Sequence, residues 1–291
     1  MCMLKKAVDW VKEHPYALCL LYFIPYLLYF ELLEAFAVPR FIIHCPIDDW
    51  IPFHEGFVIP YFAWFPMLAA SLGYFLFHSR KDFLDLCFIM FSGMTICLLI
   101  YTILPNGLQL RPTIVHDNLL ARIAGMLYAI DTPTNVCPSI HVSSTVAIMI
   151  IVMRYQTFSH AALVKSLTLV SGIAVCLSTV VLKQHSIIDV VLGGLLTLAL
   201  YKVCMQTNWL KYLYKLPSRS FLYGILYSYF LQFVCMHTFY KARFRRPPKT
   251  PSMLACCFRT TVERTTAIPL TRVGLFTSAA WAHAWSRRTM I

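Results

Sequence analysis

Two histidines and an aspartate are the residues of this sequence best suited to chemistry. His185 and Asp189 are four residues apart in "KQHSIID", so on a helix they share one face. There the carboxylate can accept a proton from one ring nitrogen and raise the basicity of the other, as a nucleophile requires. The pair alone is also compatible with a capped helix start that holds an ordinary histidine.

The second histidine, His141, follows Pro138 and Ser139 in "CPSIH". Proline suits the first turn of a helix, whose amide hydrogens are unpaired and whose dipole end is positive. Ser139 adds a hydroxyl, so this helix start is suited to an anion, although an N-capping serine would explain the motif equally well.

Arg111 and Lys183 could bring positive charge to the same place. A guanidinium fork and an ammonium group both neutralise phosphoryl oxygens, whereas singly each residue more often reaches towards lipid headgroups. Because three separate segments carry these groups, together they predict a site for phosphoryl transfer. The sequence offers no carboxylate cluster and no Cys/His ligand set, and its eleven cysteines form no C-x-x-C pair, so we expect neither a metal nor another cofactor.

The elements that position these residues are predicted to be membrane helices. The chain is 59% hydrophobic and 13% charged, with a mean hydropathy of +0.65, outside the usual range of soluble domains. We predict an all-α polytopic membrane protein, a six-transmembrane-helix bundle, from apolar runs of about 20 residues. These runs lie at 17–36, 56–77, 85–104, 140–155, 166–182 and 186–204.

Three regions follow from this pattern. Residues 1–205 form the membrane domain, and residues 206–240 form a basic linker with an additional hydrophobic helix at 220–240, either interfacial or spanning. Residues 241–291 form a basic tail with ten Lys and Arg against one acid. Because the excess charge belongs to this tail, which suits anionic headgroups or solvent, no nucleic-acid partner is predicted.

Lys and Arg also predict the orientation, since cytoplasmic loops are enriched in them. They collect at the N-terminus, around Arg80 and Lys81, near Arg154 and Lys165, and in 202–219. The candidate site residues lie on the opposite, extracytoplasmic side of the cell membrane. The acidic stretch 44–57 on that side is predicted to be an ordinary solvated loop.

The order Arg-Pro, Pro-Ser-x-His and Ser-x6-His-x3-Asp, at Arg111, Pro138 and Ser178, resembles the type 2 phosphatidic acid phosphatase superfamily over residues 55–205. The resemblance implies a six-helix bundle and metal-independent hydrolysis or transfer of a lipid phosphate. It also assigns roles to six residues. His185 would be the nucleophile, Asp189 its orienting partner and His141 the acid for the leaving oxygen, while Arg111, Ser139 and Lys183 would hold the phosphate.

Three positions depart from the family pattern. Leu104 stands where its first motif opens with Lys, Ile140 where a glycine is usual, and Thr179 where an Arg follows the serine. Lys183 is our candidate for the replacement cation. The "KQH" variant resembles the branch that includes inositol phosphorylceramide and sphingomyelin synthases.

The predicted function is therefore hydrolysis of a lipid phosphomonoester or diphosphate through a phosphohistidine. Its partners would be the lipid phosphate substrate and membrane lipids. The alternatives are a head-group phosphotransferase and a non-enzymatic transporter or scaffold.

Overall fold

The computed structural model describes residues 2–115 and 117–207, all of which belong to one compact unit. The predicted hydrophobic segment 220–240, most of the linker before it and the basic tail 241–291 lie outside the described residues.

The described chain is mostly helical. Two 3₁₀ helices, Pro15–Tyr22 and Glu55–Phe57, lead directly into α2 and α4, and two short parallel strands, β1 (Phe41–Ile42) and β2 (Asn106–Gly107), pair between loops. The α-helices are α1 (Cys2–Glu13), α2 (Phe23–Phe36), α3 (Pro46–Trp50), α4 (Val58–Phe62), α5 (Trp64–His78), α6 (Arg80–Ile103), α7 (Leu119–Ile130), α8 (Ile140–Arg154), α9 (Ala161–Val181) and α10 (Ile187–Gln206).

Within the described part of the chain, five helical segments are long and apolar enough to cross a membrane, which confirms an integral membrane protein. They are Pro15–Phe36, Glu55–His78, Arg80–Ile103, Ala161–Val181 and Ile187–Gln206. The remaining predicted span forms α8, whose 15 residues correspond to about 22 Å against a hydrocarbon core of about 30 Å. Five of the six predicted spans are thus present as such, and the count of six stays a prediction.

The short helix α8 lies at the centre of the bundle, in contact with α5, α6, α9 and α10. Small residues allow this close packing, as expected in membranes. A Cβ at Gly193 of α10 would lie 2.7 Å from the carbonyl oxygen of Ser139. One turn further along α10, the Thr197 hydroxyl lies 2.9 Å from that of Ser143 in α8.

The two ends of the bundle differ in chemistry. At one end, Arg154 of α8 binds Asp82 at 2.7 Å and Asp85 at 2.5 Å near the start of α6. At the other end, α6 and α9 finish while α8 and α10 begin. All the candidate site residues lie at this second end, which we call the His185 end.

Candidate functional site

His185 lies in the tight turn between α9 and α10. The turn begins with Lys183 in a left-handed conformation (φ 55°), and Ser186 caps α10. Asp189 Oδ2 accepts a hydrogen bond from the backbone N–H of Ser186 at 2.9 Å and lies 3.4 Å from His185 Nδ1. One carboxylate thus caps the helix and lies beside the imidazole, so this geometry is compatible with both interpretations of the spacing.

His141 lies in the first turn of α8 and faces His185. Its ring centroid is 5.8 Å from that of His185, and it packs against Tyr61 at 4.8 Å and Trp64 at 4.6 Å. A nucleophilic nitrogen on one ring would need to lie about 3 to 3.5 Å from the phosphorus. A nitrogen on the other ring would need a hydrogen bond of about 2.7 to 3 Å to the leaving oxygen, and the separation of the two rings is of the order that these two contacts require. The two rings are thus close enough to serve one phosphorus atom.

Ser139 is fully buried and is the N-cap of α8. Its hydroxyl accepts from the N–H of Val142 at 3.3 Å, and its own N–H donates to the carbonyl of Asp189 at 3.1 Å. This second bond joins the two helix starts directly. A hydroxyl that accepts one hydrogen bond can still donate another, so capping is compatible with the predicted contact to phosphate.

Arg111 is held at the C-terminal end of α7. Its guanidinium donates to the carbonyls of Tyr128 at 3.1 Å and Asp131 at 2.7 Å and to Gln184 Oε1, and it lies 4.6 Å above the Tyr128 ring. Burial lowers the pKa of Arg111, and nearby Asp131 opposes this shift. A guanidinium nevertheless stays charged at neutral pH, so Arg111 brings a fixed cation to the residue before His185.

Gln184 is a site residue that the sequence analysis missed. Its side chain is 2% exposed, and its Oε1 accepts from Arg111. Because a guanidinium has no acceptor, the oxygen must face Arg111 and the amide hydrogens must point away. Three buried polar atoms here have no hydrogen-bond partner among the described residues: Gln184 Nε2, Arg111 Nε and Asp189 Oδ1. Such atoms are rare in native structures, and a bound ligand would satisfy them.

Lys183 is buried and is connected to Asp48 of the short helix α3. Its ammonium donates to the backbone carbonyl of Asp48 at 2.6 Å. Burial lowers the pKa of Lys183, while Asp48 and Asp49 act in the opposite direction. The ammonium retains two further hydrogens for a ligand, so the structure neither requires nor rules out the phosphate contact predicted for it.

The prediction of an ordinary solvated loop at 44–57 is wrong for Asp48. This carboxylate is fully buried and accepts from the Ser186 hydroxyl at 2.6 Å and from the backbone N–H groups of Ile187 at 2.9 Å and Cys45 at 2.8 Å. The start of α10 offers unpaired amides and a positive dipole end, which explains why a carboxylate enters the bundle here. Asp49, by contrast, is exposed.

Thr179, one of the positions that depart from the family pattern, and Asn106, near another, hold local backbone. The Thr179 hydroxyl donates to its own helix at 2.8 Å, and its carbonyl accepts the N–H groups of Gln184 and His185. Close to Leu104, Asn106 Oδ1 accepts from the N–H groups of Val136 and Cys137 at 2.9 and 2.8 Å. Asn106 therefore shapes the segment that leads into α8.

Asp131 adds a further carboxylate close to the site. Its Oδ2 accepts from the Tyr61 hydroxyl at 2.8 Å. Burial raises the pKa of Asp131, while this hydrogen bond and the neighbouring His185 and Arg111 lower it. Two cations and three carboxylates thus surround the turn and the gap between the histidines.

Comparison with known proteins gives one match. The family model described as PAP2 superfamily covers residues 82–213, which include most of α6, all of α7 to α10 and all six predicted site residues, whereas Asp48 and Tyr61 precede it. No curated protein and no solved structure matches the chain.

Proposed function

We propose that this chain, whose residues 82–213 match the PAP2 superfamily, a family of phosphoesterases, hydrolyses a lipid phosphomonoester or diphosphate through a phosphohistidine. One observation carries the proposal. His141 and His185, 44 residues apart in the sequence, present their rings to each other at 5.8 Å.

In the first step, the lone pair of His185 Nε2 forms a bond to phosphorus, and the bond from phosphorus to the lipid oxygen breaks. The proton on Nδ1 faces Asp189, which keeps Nε2 free to attack. His141 donates a proton to the leaving oxygen. Because His141 packs between two aromatic rings, the negative charge of the bound phosphate is needed to favour its protonated form.

In the second step, water attacks the phosphohistidine and His141 takes its proton. The bond between phosphorus and Nε2 breaks, which returns His185 to its neutral form and releases inorganic phosphate. The same two imidazoles thus serve both steps, each returned to its initial protonation state.

Cations and preorganised donors hold the phosphate oxygens in this mechanism. Arg111 supplies its unpaired Nε–H, Gln184 its unpaired amide hydrogens, and the start of α8 its backbone N–H groups together with the Ser139 hydroxyl. Lys183 adds a second cation from the other side of the turn.

We place this reaction on the extracytoplasmic face. The distribution of Lys and Arg supports this orientation, because Lys81 and Arg154 meet Asp85 at the end of the bundle opposite His185. Lys165, near the start of α9, belongs to the same end.

The charge balance favours a second candidate, a head-group phosphotransferase. Two cations, Arg111 and Lys183, lie near the carboxylates of Asp48, Asp131 and Asp189, and Asp49 and Glu34 add further negative charge nearby. A phosphomonoester carries about two negative charges at neutral pH, whereas a phosphodiester carries only one. The site neutralises a diester more easily, and a lipid hydroxyl would then replace water in the second step.

The decisive experiment uses the full-length protein in lipid nanodiscs with a chelator present. The substrates are phosphatidic acid, a phosphatidylglycerol phosphate, a polyprenyl diphosphate and a phosphodiester lipid with a lipid-hydroxyl acceptor, each labelled in its own phosphate group. We expect inorganic phosphate to be released and an acid-labile, alkali-stable label to appear on the protein, both abolished by His185→Ala. His141→Ala should slow the release of the lipid alcohol.

Each alternative has its own result. A labelled head group on an acceptor lipid, without free phosphate, would identify the transferase. Hydrolysis that survives His185→Ala would contradict the nucleophile. Binding of lipid phosphate without turnover in either protein would support the transporter or scaffold.

A further inference from the structure

The helix α7 presents an apolar face that is exposed among the described residues. Leu119, Met126 and Ile130 are 72%, 57% and 68% exposed. Seven and eleven residues correspond to nearly whole turns at 3.6 residues per turn, so the three side chains share one face. The opposite face, which includes Ala121, Ala124 and Leu127, is buried.

The contacts of α7 show its level along the bundle. Its N-cap Asn118 donates to Glu55 Oε1 at 2.8 Å, at the start of the span Glu55–His78. Its buried face packs against Val58 and Tyr61 of this span and against Leu182, directly after α9. At 1.5 Å per residue, these contacts lie within about 9 Å of the span ends. A helix at this level lies where hydrocarbon gives way to headgroups.

The apolar face of α7 continues a surface that meets lipid. On α4, which packs against α7, Ile59 and Phe62 are exposed and belong to the same membrane span. Arg122 of α7 is exposed beside the apolar face and pairs with Asp117 at 2.9 Å. A basic side chain at the edge of an apolar face is typical of helices that lie in the membrane interface.

We propose that α7 is an interfacial helix whose Leu119, Met126 and Ile130 face is embedded in the lipid leaflet at the His185 end. This proposal has a consequence for the depth of the candidate site in the membrane, and that consequence rests on the proposed function. The C-terminal end of α7 holds Arg111 through the Tyr128 carbonyl, and the Tyr128 hydroxyl donates to the Leu182 carbonyl at 2.8 Å. Insertion of α7 therefore sets Arg111 at the level of lipid phosphates, so that a substrate can reach it without leaving the bilayer.

A photo-cross-linking experiment tests the lipid contact without requiring turnover. The photoreactive residue p-benzoylphenylalanine replaces Met126 in the full-length chain, in liposomes of radiolabelled phosphatidylcholine. The matched position is Asp117, exposed and just before α7. We expect position 126 to cross-link to the labelled lipid at least fivefold more than position 117. Cross-links from 126 to residues 208–291 or to a second copy of the chain, or equal lipid labelling at both positions, would overturn the proposal.

A kinetic arm tests the consequence for the site. Met126→Asp should lower kcat/KM for a long-chain lipid phosphate in the bilayer by about tenfold, because a charge opposes insertion of the apolar face. Its kcat/KM for a short-chain, water-soluble phosphate ester should stay within about twofold of the wild type, as should both values for Met126→Leu. Equal losses of kcat/KM on both substrates would contradict the proposal that α7 sets the depth of Arg111 in the membrane. If the wild type hydrolyses neither substrate, the proposed function fails while the cross-linking result still decides the contact.

Discussion

Asp48→Asn should loosen the turn that holds His185. The carboxylate accepts three hydrogen bonds, from the Ser186 hydroxyl, the Ile187 N–H and the Cys45 N–H. In asparagine one of the two oxygens becomes a donor, so at least one backbone N–H loses its acceptor and the remaining bonds become neutral. A bond to a charged acceptor contributes about 1.5 to 3 kcal/mol, so we expect a loss of about 2 to 3 kcal/mol.

Part of this loss should appear in catalysis, because two of the three donors directly follow His185. A misplacement that costs the transition state about 1.4 to 2.7 kcal/mol lowers kcat by about 10- to 100-fold. KM should change less, since Asp48 does not contact the gap between the histidines. The assay combines the melting temperature in nanodiscs with the kinetics of hydrolysis.

Asp49→Asn is the matched control for this prediction. Asp49 is the next residue, carries the same charge and makes an exposed pair with His44 at 3.0 Å. Exposed pairs contribute about 0 to 1 kcal/mol, so this variant should resemble the wild type. If Asp48→Asn matches Asp49→Asn in both melting temperature and kcat, then Asp48 does not help to position His185.

Three further predictions concern binding, packing and pH. Gln184→Met should weaken the affinity for inorganic phosphate or vanadate, measured by calorimetry, about tenfold or more, whereas Gln156→Met at an exposed position should not. If Gln184→Met binds these anions as tightly as the wild type, Gln184 does not belong to the site. In an unfolding assay, Gly193→Ala should lower the free energy of unfolding by about 1 to 3 kcal/mol, because the new Cβ would lie 2.7 Å from a backbone oxygen. Gly73→Ala, whose Cβ would have nothing within 4 Å, should be neutral or stabilising in the same assay. Burial raises the pKa of Asp131 above its ordinary 3.8, so its contribution to stability is fully present below about pH 4 and is lost as the pH rises through the raised pKa. Between pH 4 and 7, the melting temperature of Asp131→Asn should therefore decline less than that of the wild type. An identical decline in both proteins would refute the raised pKa.

Local spacing indicated the His185 and Asp189 pair, although His185 lies in the turn before α10 and the pair forms because Asp189 reaches back to the start of the helix. The helix start at Ser139 was equally readable from its proline, serine and apolar run. The sequence order of these motifs, taken with the family resemblance, also brought the two histidines to one end of the bundle. Spacing did not predict the backbone conformation of the turns, such as the left-handed conformation at Lys183.

The contributions of Asp48 and Gln184 could not be predicted for two different reasons. Asp48 reaches Ser186 across 138 residues of sequence, and nothing in "IDDW" indicates which aspartate turns inward. Gln184 is an uncharged amide, a type that usually lies at the surface. The apolar residues of α7 were visible, but 12 residues are too few for a span, so the helix was not distinguished from its loop.

The shortness of α8 has a consequence for the release of product. Its N-cap Ser139 lies level with Gly193, six residues along α10, and so about 9 Å below the start of that helix. In the proposed mechanism the phosphorus lies between His185, just before α10, and His141, in the first turn of α8. Under that mechanism, released inorganic phosphate occupies the place of the next substrate's phosphate group, so we expect it to be a competitive inhibitor.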